Sequence, residues 1–365
     1  MIKQKNDLAD VSRGASPRPI DNYLSSSGLP WLKISDISLG KQYVYETKQF
    51  IKYSGLSATK YVPKDTFVLT NSATPGIPFF LGKPMCLHDG FLYFENIKSD
   101  IDKKYLFYWF LAHRTNILTR GAGSIFTNLK ADIVKQLFVD YPKLSVQHHI
   151  VNIMESVDDL ITALNNCIAK YENIMWALMH NLFSKYNKKI KIGELCKVNR
   201  GSTITKSQCV DGNVPVIAGG KEPAYYNDKS NRKAPVITIS GSGANAGYVN
   251  LYLMDIFASD CSTIEESDDY DIFFLYYYLL YSQNKIYSKQ TGGAQPHIHP
   301  KDISDLEIID IDKKEQIEIS TKLNSMNECI KSLKFELKKY EKVKESLLNG
   351  LFTGKIYVPE NYEEV

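Results

Sequence analysis

The stretch whose residue types and spacing come nearest to a cofactor site is VITISGSGANAGYVNLYL, residues 236–253. Gly241, Gly243 and Ala246 fit the pattern G-x-G-x-x-A directly after a predicted strand, which is the spacing of a loop that binds a dinucleotide or S-adenosylmethionine. Such a loop needs a helix to begin behind it, so that the helix N-terminus faces the bound phosphates. Here β-forming and polar residues alternate after the glycines, and this alternation predicts a second strand. The sequence therefore favours a strand–turn–strand loop over a nucleotide loop.

Other patterns that carry chemistry are incomplete. Residues 215–222 lack the first Gly and the final Ser or Thr of a phosphate-binding P-loop. His297 and His299 have no third metal ligand at a matching spacing, so hydrogen bonding or contact with DNA is favoured over a metal site. The six cysteines form no C-x-x-C pair, which indicates reduced thiols and not a disulfide framework or zinc site. No catalytic residue, cofactor-binding residue or metal ligand is predicted, and the chain is expected not to be an enzyme.

Polar and basic residues recur instead in the loops of both halves of the chain. The net charge is only +3, so attraction to a nucleic acid would depend on a local basic face. Basic side chains mixed with Ser, Thr, Asn and Tyr suit a DNA surface, where they contact phosphates and base edges. The candidate DNA-binding residues are Arg13, Arg18, Lys33, Asn71, Arg120, Lys130, Arg200, Lys206, Lys221, Asn245, Lys289, Gln295, His297 and Lys301. Any one of them alone is more often a solubilising residue, and the hypothesis depends on their duplication.

That duplication belongs to an internal repeat that spans most of the chain. KYENIMWALMHNLF at residues 170–183 is written again as KYEKVKESLLNGLF at residues 339–352, an offset of 169. The same offset aligns YLFYWFL with FLYYYLL and joins Gln147 to Gln316. At the start of each half, LADVSRG and LCKVNRG match at an offset of 187. The first half thus carries about eighteen extra residues, mainly between GLPWLKIS and residue 100, and we expect one scaffold with divergent middles.

The repeated ends carry a narrow apolar row that is typical of a coiled coil. In the first copy, apolar residues alternate spacings of four and three from Ile150 to Leu182. The second copy repeats the row from Ile319 to Leu351, with Lys344 interrupting it. Heptad spacing sustained over such a length predicts two long helices that pack on each other. In one chain the two helices would pair antiparallel, which gives the molecule a pseudo-two-fold repeat.

The predicted fold class is therefore α+β, with two mixed α/β globular domains separated by two long helices that pair as an antiparallel coiled coil. Each globular domain is predicted to contain several short strands and one helix, near residues 105–119 in the first and 271–289 in the second. The predicted ranges are 1–142 for the first globular domain, 143–186 for the first helix, 187–312 for the second globular domain, and 313–365 for the second helix and C-terminal tail.

This plan resembles the specificity (S) subunit of a type I restriction–modification system. The resemblance is carried by the two openings LADVSRG and LCKVNRG, by VPVIAGG, TISGSGANAGYV and GGAQPHIHPKDI in the second half, and by the closing LLNGLFTGKI. It covers nearly the whole chain and both repeats. The first half departs from it, because GSIFTNLKADI stands where AQPHIHPKDI stands in the second half. The role of Gln295 and His297 is therefore not simply mirrored in the first half.

The resemblance implies that each globular domain is a target recognition domain for one half of a bipartite, asymmetric DNA sequence. The coiled coil would set the spacing between the half-sites, at about one DNA turn. The implied partners are double-stranded DNA, two methyltransferase (M) subunits and two restriction (R) subunits. No cofactor is expected on this chain, because S-adenosylmethionine, ATP and Mg²⁺ would belong to those subunits. One chain would suffice for each complex.

Two functions from other classes stay open as alternatives. One is a stand-alone S-adenosylmethionine-dependent methyltransferase that uses the Gly241 loop, and the other is a coiled-coil scaffold without a DNA role. The N-terminal residues 1–14 lack the apolar core of a signal peptide, and no apolar run approaches the length of a membrane span. A cytoplasmic protein without a membrane partner is expected.

Overall fold

The structure, a computed structural model, describes residues 3–5, 8–37, 40–119 and 128–359. The chain forms two compact units: unit 1 comprises Met1–Thr162 and Lys338–Val365, and unit 2 comprises Ala163–Leu337. This division cuts both long helices near their middle, whereas the predicted ranges follow each helix from end to end.

Unit 1 is built mainly from two five-stranded sheets. Its strands are β1 (Lys3–Lys5), β2 (Asp10–Arg13), β3 (Leu24–Ser25), β4 (Leu29–Leu32), β5 (Tyr43–Val44), β6 (Gln49–Ile51), β7 (Lys60–Val62), β8 (Phe67–Thr70), β9 (Pro78–Leu81), β10 (Met85–Leu87), β11 (Phe91–Glu95) and β12 (Val139–Tyr141). One sheet has the order β3-β6-β4-β10-β7, the other has the order β2-β11-β8-β9-β5, and β1 pairs with β12. The helices are α1 (Lys103–Thr119), α2 (Ala131–Lys135) and the first part of α3 (Leu144–Phe183).

The core of unit 1 forms where α1 meets the second of these sheets. Phe67 of β8 contacts both Phe94 of β11 and Phe110 of α1, with ring centroids 4.8 Å and 5.7 Å apart. Helix α1 is buried over most of its circumference, which explains why YLFYWFL is apolar without helical periodicity. Ile150 near the start of α3 and Phe352 at the end of the last helix belong to the same core.

Unit 2 has the same kind of architecture with fewer strands. Its strands are β13 (Lys189–Lys191), β14 (Asn199–Arg200), β15 (Val214–Ile217), β16 (Tyr225–Asn227), β17 (Val236–Ser240), β18 (Val249–Tyr252), β19 (Phe257–Ala258), β20 (Cys261–Glu265) and β21 (Glu307–Ile309). The sheets have the orders β14-β20-β17-β18 and β16-β15-β19, and β13 pairs with β21. The helices are the second part of α3, α4 (Ile192–Leu195), α5 (Ile272–Tyr281), α6 (Gln283–Tyr287), α7 (Pro300–Ser304) and the first part of α8 (Lys313–Phe352).

The sheets of the two units correspond strand by strand. The order β2-β11-β8-β9 of unit 1 recurs as β14-β20-β17-β18, and β6-β4-β10 recurs as β16-β15-β19. In the three-strand order β6-β4-β10, which recurs as β16-β15-β19, the last two strands are parallel: β4 with β10 in unit 1 and β15 with β19 in unit 2. Unit 1 adds the strands β3, β5 and β7 at sheet edges. The predicted common scaffold with extra residues in the first half is confirmed.

The two long helices are 40 residues each and pack antiparallel within each unit. In unit 1, the start of α3 packs with the end of α8, where Lys344 forms an ion pair with Asp158. In unit 2, the end of α3 packs with the start of α8, where Lys334 Nζ lies 2.6 Å from Glu172 Oε1. The apolar row predicted from the sequence is buried in both places, as at Met154 and Ile330. The predicted antiparallel pairing of the long helices is confirmed.

One predicted helix is wrong in its extent. Residues 271–289 form not one helix but two, α5 and α6, which are separated at Ser282. The Gln283 side chain, at the start of α6, bonds the backbone of Gly247 and Val249, and this tertiary contact holds the second helix against β18.

The matched glutamines at the start of each long helix join that helix to its own globular core. The Gln147 side chain accepts a hydrogen bond from the Asp102 amide at 2.9 Å and donates to the Asp100 and Pro142 carbonyls. The Gln316 side chain accepts from the Asp271 amide at 2.8 Å. Both glutamines are buried, and both amides belong to the residue that precedes a core helix. The repeated Gln is therefore a structural connector.

Candidate nucleic-acid interface

A glycine shapes the same sheet edge in both units. The amide of Gly14, at the end of β2, donates to the Phe91 carbonyl, and a Cβ there would lie 2.2 Å from the His88 carbonyl oxygen. The amide of Gly201, at the end of β14, donates to the Cys261 carbonyl, and a Cβ there would lie 2.1 Å from the Ser259 carbonyl oxygen. Only glycine permits this backbone approach. The repeated Arg-Gly pair thus places Arg13 and Arg200 at equivalent edges.

In unit 1 this edge gathers basic side chains around the loop between β10 and β11. Arg13 Nε donates to the Asp89 carbonyl at 2.6 Å. Arg18 lies 3.5 Å from the Asp89 carboxylate, although its side chain is 77% exposed. Asn71 is buried, and its side-chain amide donates to the same Asp89 carbonyl at 3.2 Å. Two candidates from the N-terminal segment and one from the end of β8 therefore meet at one acidic residue.

An aromatic pair lies beside this cluster. The rings of Trp31 and His88 are 5.6 Å apart, and Lys33 Nζ lies 5.7 Å from the Trp31 ring centroid. Burial lowers the pKa of His88, and the nearby Arg18, Lys33 and Arg13 lower it further against the opposing effect of Asp89. The Gly90 amide donates to His88 Nδ1 at 2.9 Å, so this nitrogen is an acceptor. Asp89 Oδ1 is also 3.0 Å away, but the lowered pKa favours the neutral ring over an ion pair.

The remaining candidates of the first half flank the same edge or fall outside the described residues. The Leu129 amide donates to the Asn71 carbonyl at 2.7 Å, which brings the exposed Lys130 beside the cluster. Arg120 lies outside the described residues.

In unit 2 the equivalent edge is formed by the turn that had the spacing of a nucleotide loop. Strands β17 and β18 pair antiparallel on either side of it, and the Gly247 amide donates to the Ser240 carbonyl at 2.7 Å. Gly243 has a φ of +81°, a conformation that favours glycine. A strand and not a helix follows this loop, so the helix that a nucleotide loop requires does not begin behind it. The predicted strand–turn–strand loop is confirmed.

Glutamine side chains hold this turn and place two basic candidates next to it. Gln290 Nε2 donates to the Ala246 carbonyl at 2.8 Å, and Lys289 is the adjacent residue. Lys221 Nζ lies 5.2 Å from the ring centroid of Tyr248. The carbonyl of the half-buried Asn245 accepts the Tyr248 amide at 2.9 Å. Both lysines therefore lie beside the turn at residues 241–247, and Asn245 lies within it.

The segment at residues 291–301 packs against the other side of the turn at residues 241–247. The Gly243 amide donates to the Pro296 carbonyl at 3.0 Å, between the exposed Gln295 and the half-buried His297. The rings of His297 and His299 are stacked 6.5 Å apart, and Lys301 is exposed on α7. Over the residues that the structure describes, no group of three or more His, Cys, Asp or Glu side chains is arranged to hold a metal ion.

Arg200 and Lys206 complete the set in unit 2. The exposed Arg200 lines a small cavity together with Asp260 and His297. The Asp260 side chain accepts a hydrogen bond from the Ser242 hydroxyl within the turn. Lys206 is exposed, and the nearby Ile204 amide donates to Ser259 Oγ at 3.3 Å.

Sequence reasoning missed the residues that organise these edges. Asp89 and Asp260 precede equivalent strands, β11 and β20, and each accepts a hydrogen bond from a serine hydroxyl. Trp31 and Tyr248 supply ring faces beside lysines. The only sequence signal for the aspartates was a polar residue next to a predicted strand, and such residues are common in loops.

Two copies of one fold, each with basic side chains at the same sheet edge, define a two-domain nucleic-acid recognition protein. The chain belongs to the type I restriction–modification DNA specificity family, because the model of the type I restriction modification DNA specificity domain matches residues 1–172 and 185–342. This family supplies DNA specificity and not catalysis. The methyltransferase and scaffold alternatives are not supported.

Relatives and solved structures agree with this assignment. The chain is 21% identical to the type I restriction enzyme MjaIX specificity subunit of Methanocaldococcus jannaschii, over 98% of this chain and 94% of the relative. It is 27% identical to the putative MjaX specificity subunit of the same organism, over 77% of this chain and 75% of the relative. The fold is similar to the crystal structure of the type I restriction–modification S subunit of M. genitalium, with a TM-score of 0.62, 16% identity and coverage of 95% and 97%. A structure described in terms of complex assembly and conformational transition of the type I system matches with the same TM-score and identity, and covers 97% and 98%.

In the described part of the chain, no helix combines the length and the apolar character that crossing a membrane requires.

Proposed function

We propose that this chain reads a bipartite, asymmetric DNA target, with unit 1 reading one half-site and unit 2 reading the other. The observation that carries the proposal is the equivalent placement of the two clusters. Arg13 and Arg200 stand at the same edge of corresponding sheets, and each is next to a loop that bears further basic side chains. The loops themselves differ, which suits the reading of two different sequences.

We divide the candidate residues into a group that would contact phosphates and a group that would read base edges. Arg18, Lys130, Arg200, Lys206, Lys221 and Lys301 are exposed cations, and we propose that they contact phosphates. Arg13, Lys33, Asn245, Lys289, Gln295 and His297 lie on or beside the loops at the two edges, and we propose that base edges are read from this group. The buried Asn71 would act by holding the Asp89 loop in place.

Membership of the family supports a proposal about assembly and chemistry. We propose that one chain binds two M subunits and two R subunits in the cytoplasm, with the ranges 1–142 and 187–312 acting as recognition domains. We propose that the chain itself carries no cofactor and catalyses no reaction, and that S-adenosylmethionine, ATP and Mg²⁺ bind to its partners. The helix ranges 143–186 and 313–365 would set the spacer between the half-sites.

The proposal is tested by mapping methylated adenines across the genome with and without this gene. A split sequence motif that disappears on deletion, and returns on complementation, is the expected result. A methylation pattern that is unchanged by deletion would contradict the proposal. Arg18→Ala in the complementing copy should weaken DNA binding at all sequences and reduce its salt dependence, because a phosphate contact is lost.

A further inference from the structure

One charged group interrupts the apolar row of the long helices within unit 1. Lys344 of α8 forms an ion pair with Asp158 Oδ1 of α3, and the Tyr108 hydroxyl donates to Asp158 Oδ2 at 2.8 Å. Tyr108 is 1% exposed, and the side chains of Lys344 and Asp158 are 24% and 30% exposed. Both oxygens of this largely covered carboxylate are therefore engaged, one by an ammonium group and one by a hydroxyl.

Unit 2 has no charge at the corresponding positions. The offset of 169 relates Lys344 to Met175, Asp158 to Asn327 and Tyr108 to Tyr277.

Met175 is 8% exposed and belongs to the core of unit 2. The Tyr277 hydroxyl donates to Asn324 Oδ1 at 2.7 Å. The same place in the fold thus holds a charged triad in unit 1 and neutral residues in unit 2.

We propose that the triad of Tyr108, Asp158 and Lys344 restricts the long helices to pairing α3 with α8, and excludes pairing of α3 with a second copy of α3. The apolar rows of the two helices are alike, so they discriminate poorly between the two pairings. A single charged residue in such a row sets partner choice and register. The inference does not depend on a DNA target.

The repeat offset of 169 identifies which residues would face each other if two copies of one helix paired. If a second α3 took the place of α8 in the same register, Met175 of the second copy would lie opposite Asp158. The carboxylate would then lose its cation while remaining largely covered, which is strongly unfavourable. The pairing of two α8 helices would likewise set Asn327 opposite Lys344.

The second interhelical ion pair adds little to this selection. Lys334 and Glu172 are 51% and 47% exposed, and exposed pairs contribute weakly. Pairing of two α3 helices would set Asn165 opposite Glu172, so this pair would be lost as well. Pairing of two α8 helices would keep it, through Glu341 and Lys334. The triad is therefore the feature that opposes both wrong pairings.

The chain contains a cysteine that reports α3–α3 pairing. Asp158 and Met175 lie nine and eight residues on either side of Cys167. An antiparallel pair that sets Asp158 opposite Met175 would therefore bring Cys167 next to Cys167 of the second copy. A short bismaleimide cross-linker would join the two thiols into a covalent dimer.

The test uses the full chain with Cys329→Ser, because Cys329 is an exposed thiol on α8. In this background, D158N/K344M installs the residue types of unit 2, and D158K/K344D reverses the charges. Each protein is refolded from denaturant at high concentration, treated with the cross-linker and separated on a denaturing gel. We expect a several-fold increase in a dimer of about twice the 41.5 kDa chain mass for the neutral variant only. Cys167→Ser should abolish that dimer.

A neutral variant that gives no more dimer than the parent would contradict the proposal, as would equal dimer from the charge-reversed variant. Circular dichroism and thermal unfolding identify which variants fold. D158N/K344Q is tested in parallel, so that the outcome does not depend on one neutral variant.

Discussion

At the residue scale, the repeated Arg-Gly pair is explained by a backbone contact. Gly14 and Gly201 each lie against a carbonyl group of the loop that organises the candidate interface. The adjacent arginines can therefore stand at the sheet edge next to that loop. The glycine acts by permitting a close backbone approach, and the arginine beside it is the candidate DNA contact.

Gly201→Ala should lower the free energy of unfolding by about 1–3 kcal/mol, because the new methyl group would collide with the backbone of Ser259 and Ala258. Gly293→Ala is the matched control, since no atom lies within 4 Å of a Cβ built at that exposed glycine. Urea unfolding followed by circular dichroism measures both. Equal stability of the two variants would show that the strand can shift at no cost.

His88 should make unfolding depend on pH. Burial lowers its pKa in the folded protein, so the unfolded chain binds the proton more readily as the pH falls below about 6.5. Its contribution to stability is therefore present above that pH and is lost as the pH falls toward the pKa of the folded state. Between pH 7.5 and 5.5 the wild type should lose more stability than His88→Gln, measured by urea unfolding. A parallel decline in both proteins would contradict the neutral, acceptor role of His88 Nδ1.

At the element scale, the long helices are anchored by buried polar groups as well as by their apolar rows. Gln147 and Gln316 each tie the start of a long helix to the amide that precedes a core helix. Asp102 and Asp271 then accept hydrogen bonds from the first turns of α1 and α5. This arrangement fixes where a long helix leaves its globular core in each unit.

Gln147→Ala should destabilise unit 1 by about 1–3 kcal/mol, because the Asp102 amide and the Asp100 and Pro142 carbonyls lose their hydrogen-bond partner. Hydrogen exchange should increase at the start of α1, and α5 of unit 2 should keep its protection. Gln136→Ala is the control, since Gln136 is exposed at the end of α2. If exchange were unchanged at α1, the connector role of Gln147 would be wrong.

The sequence predicts those elements whose cause is local. The heptad row gives both long helices, and alternation after Gly241 gives the strand–turn–strand loop. The break between α5 and α6 was not predictable, because it depends on Gln283 reaching the backbone of Gly247, 36 residues away. Asp89 was missed for the same reason, since Arg13 meets it across 76 residues of chain. Exposed basic residues could be proposed from the sequence, but their grouping at one edge required the fold.

At the scale of the whole molecule, the chain repeats one scaffold, and the two copies differ in their loops and added strands. Unit 1 adds three strands, and it gathers Arg13, Arg18 and Lys33 around His88. Unit 2 keeps an arginine and an aspartate at its equivalent edge, and it presents beside them a glycine turn flanked by Lys221, Lys289 and His297. A protein that reads two different half-sites needs this combination of a constant frame and different loops.

The most direct test of this account exchanges residues 1–142 for the first recognition domain of another family member and maps the methylated motif. One half of the split motif should change, while the other half and the spacer length should be retained. Lengthening both long helices by matched heptads should instead change the spacer and leave both half-site sequences intact. A domain exchange that left both halves of the motif unchanged would contradict the assignment of one recognition domain to each half-site.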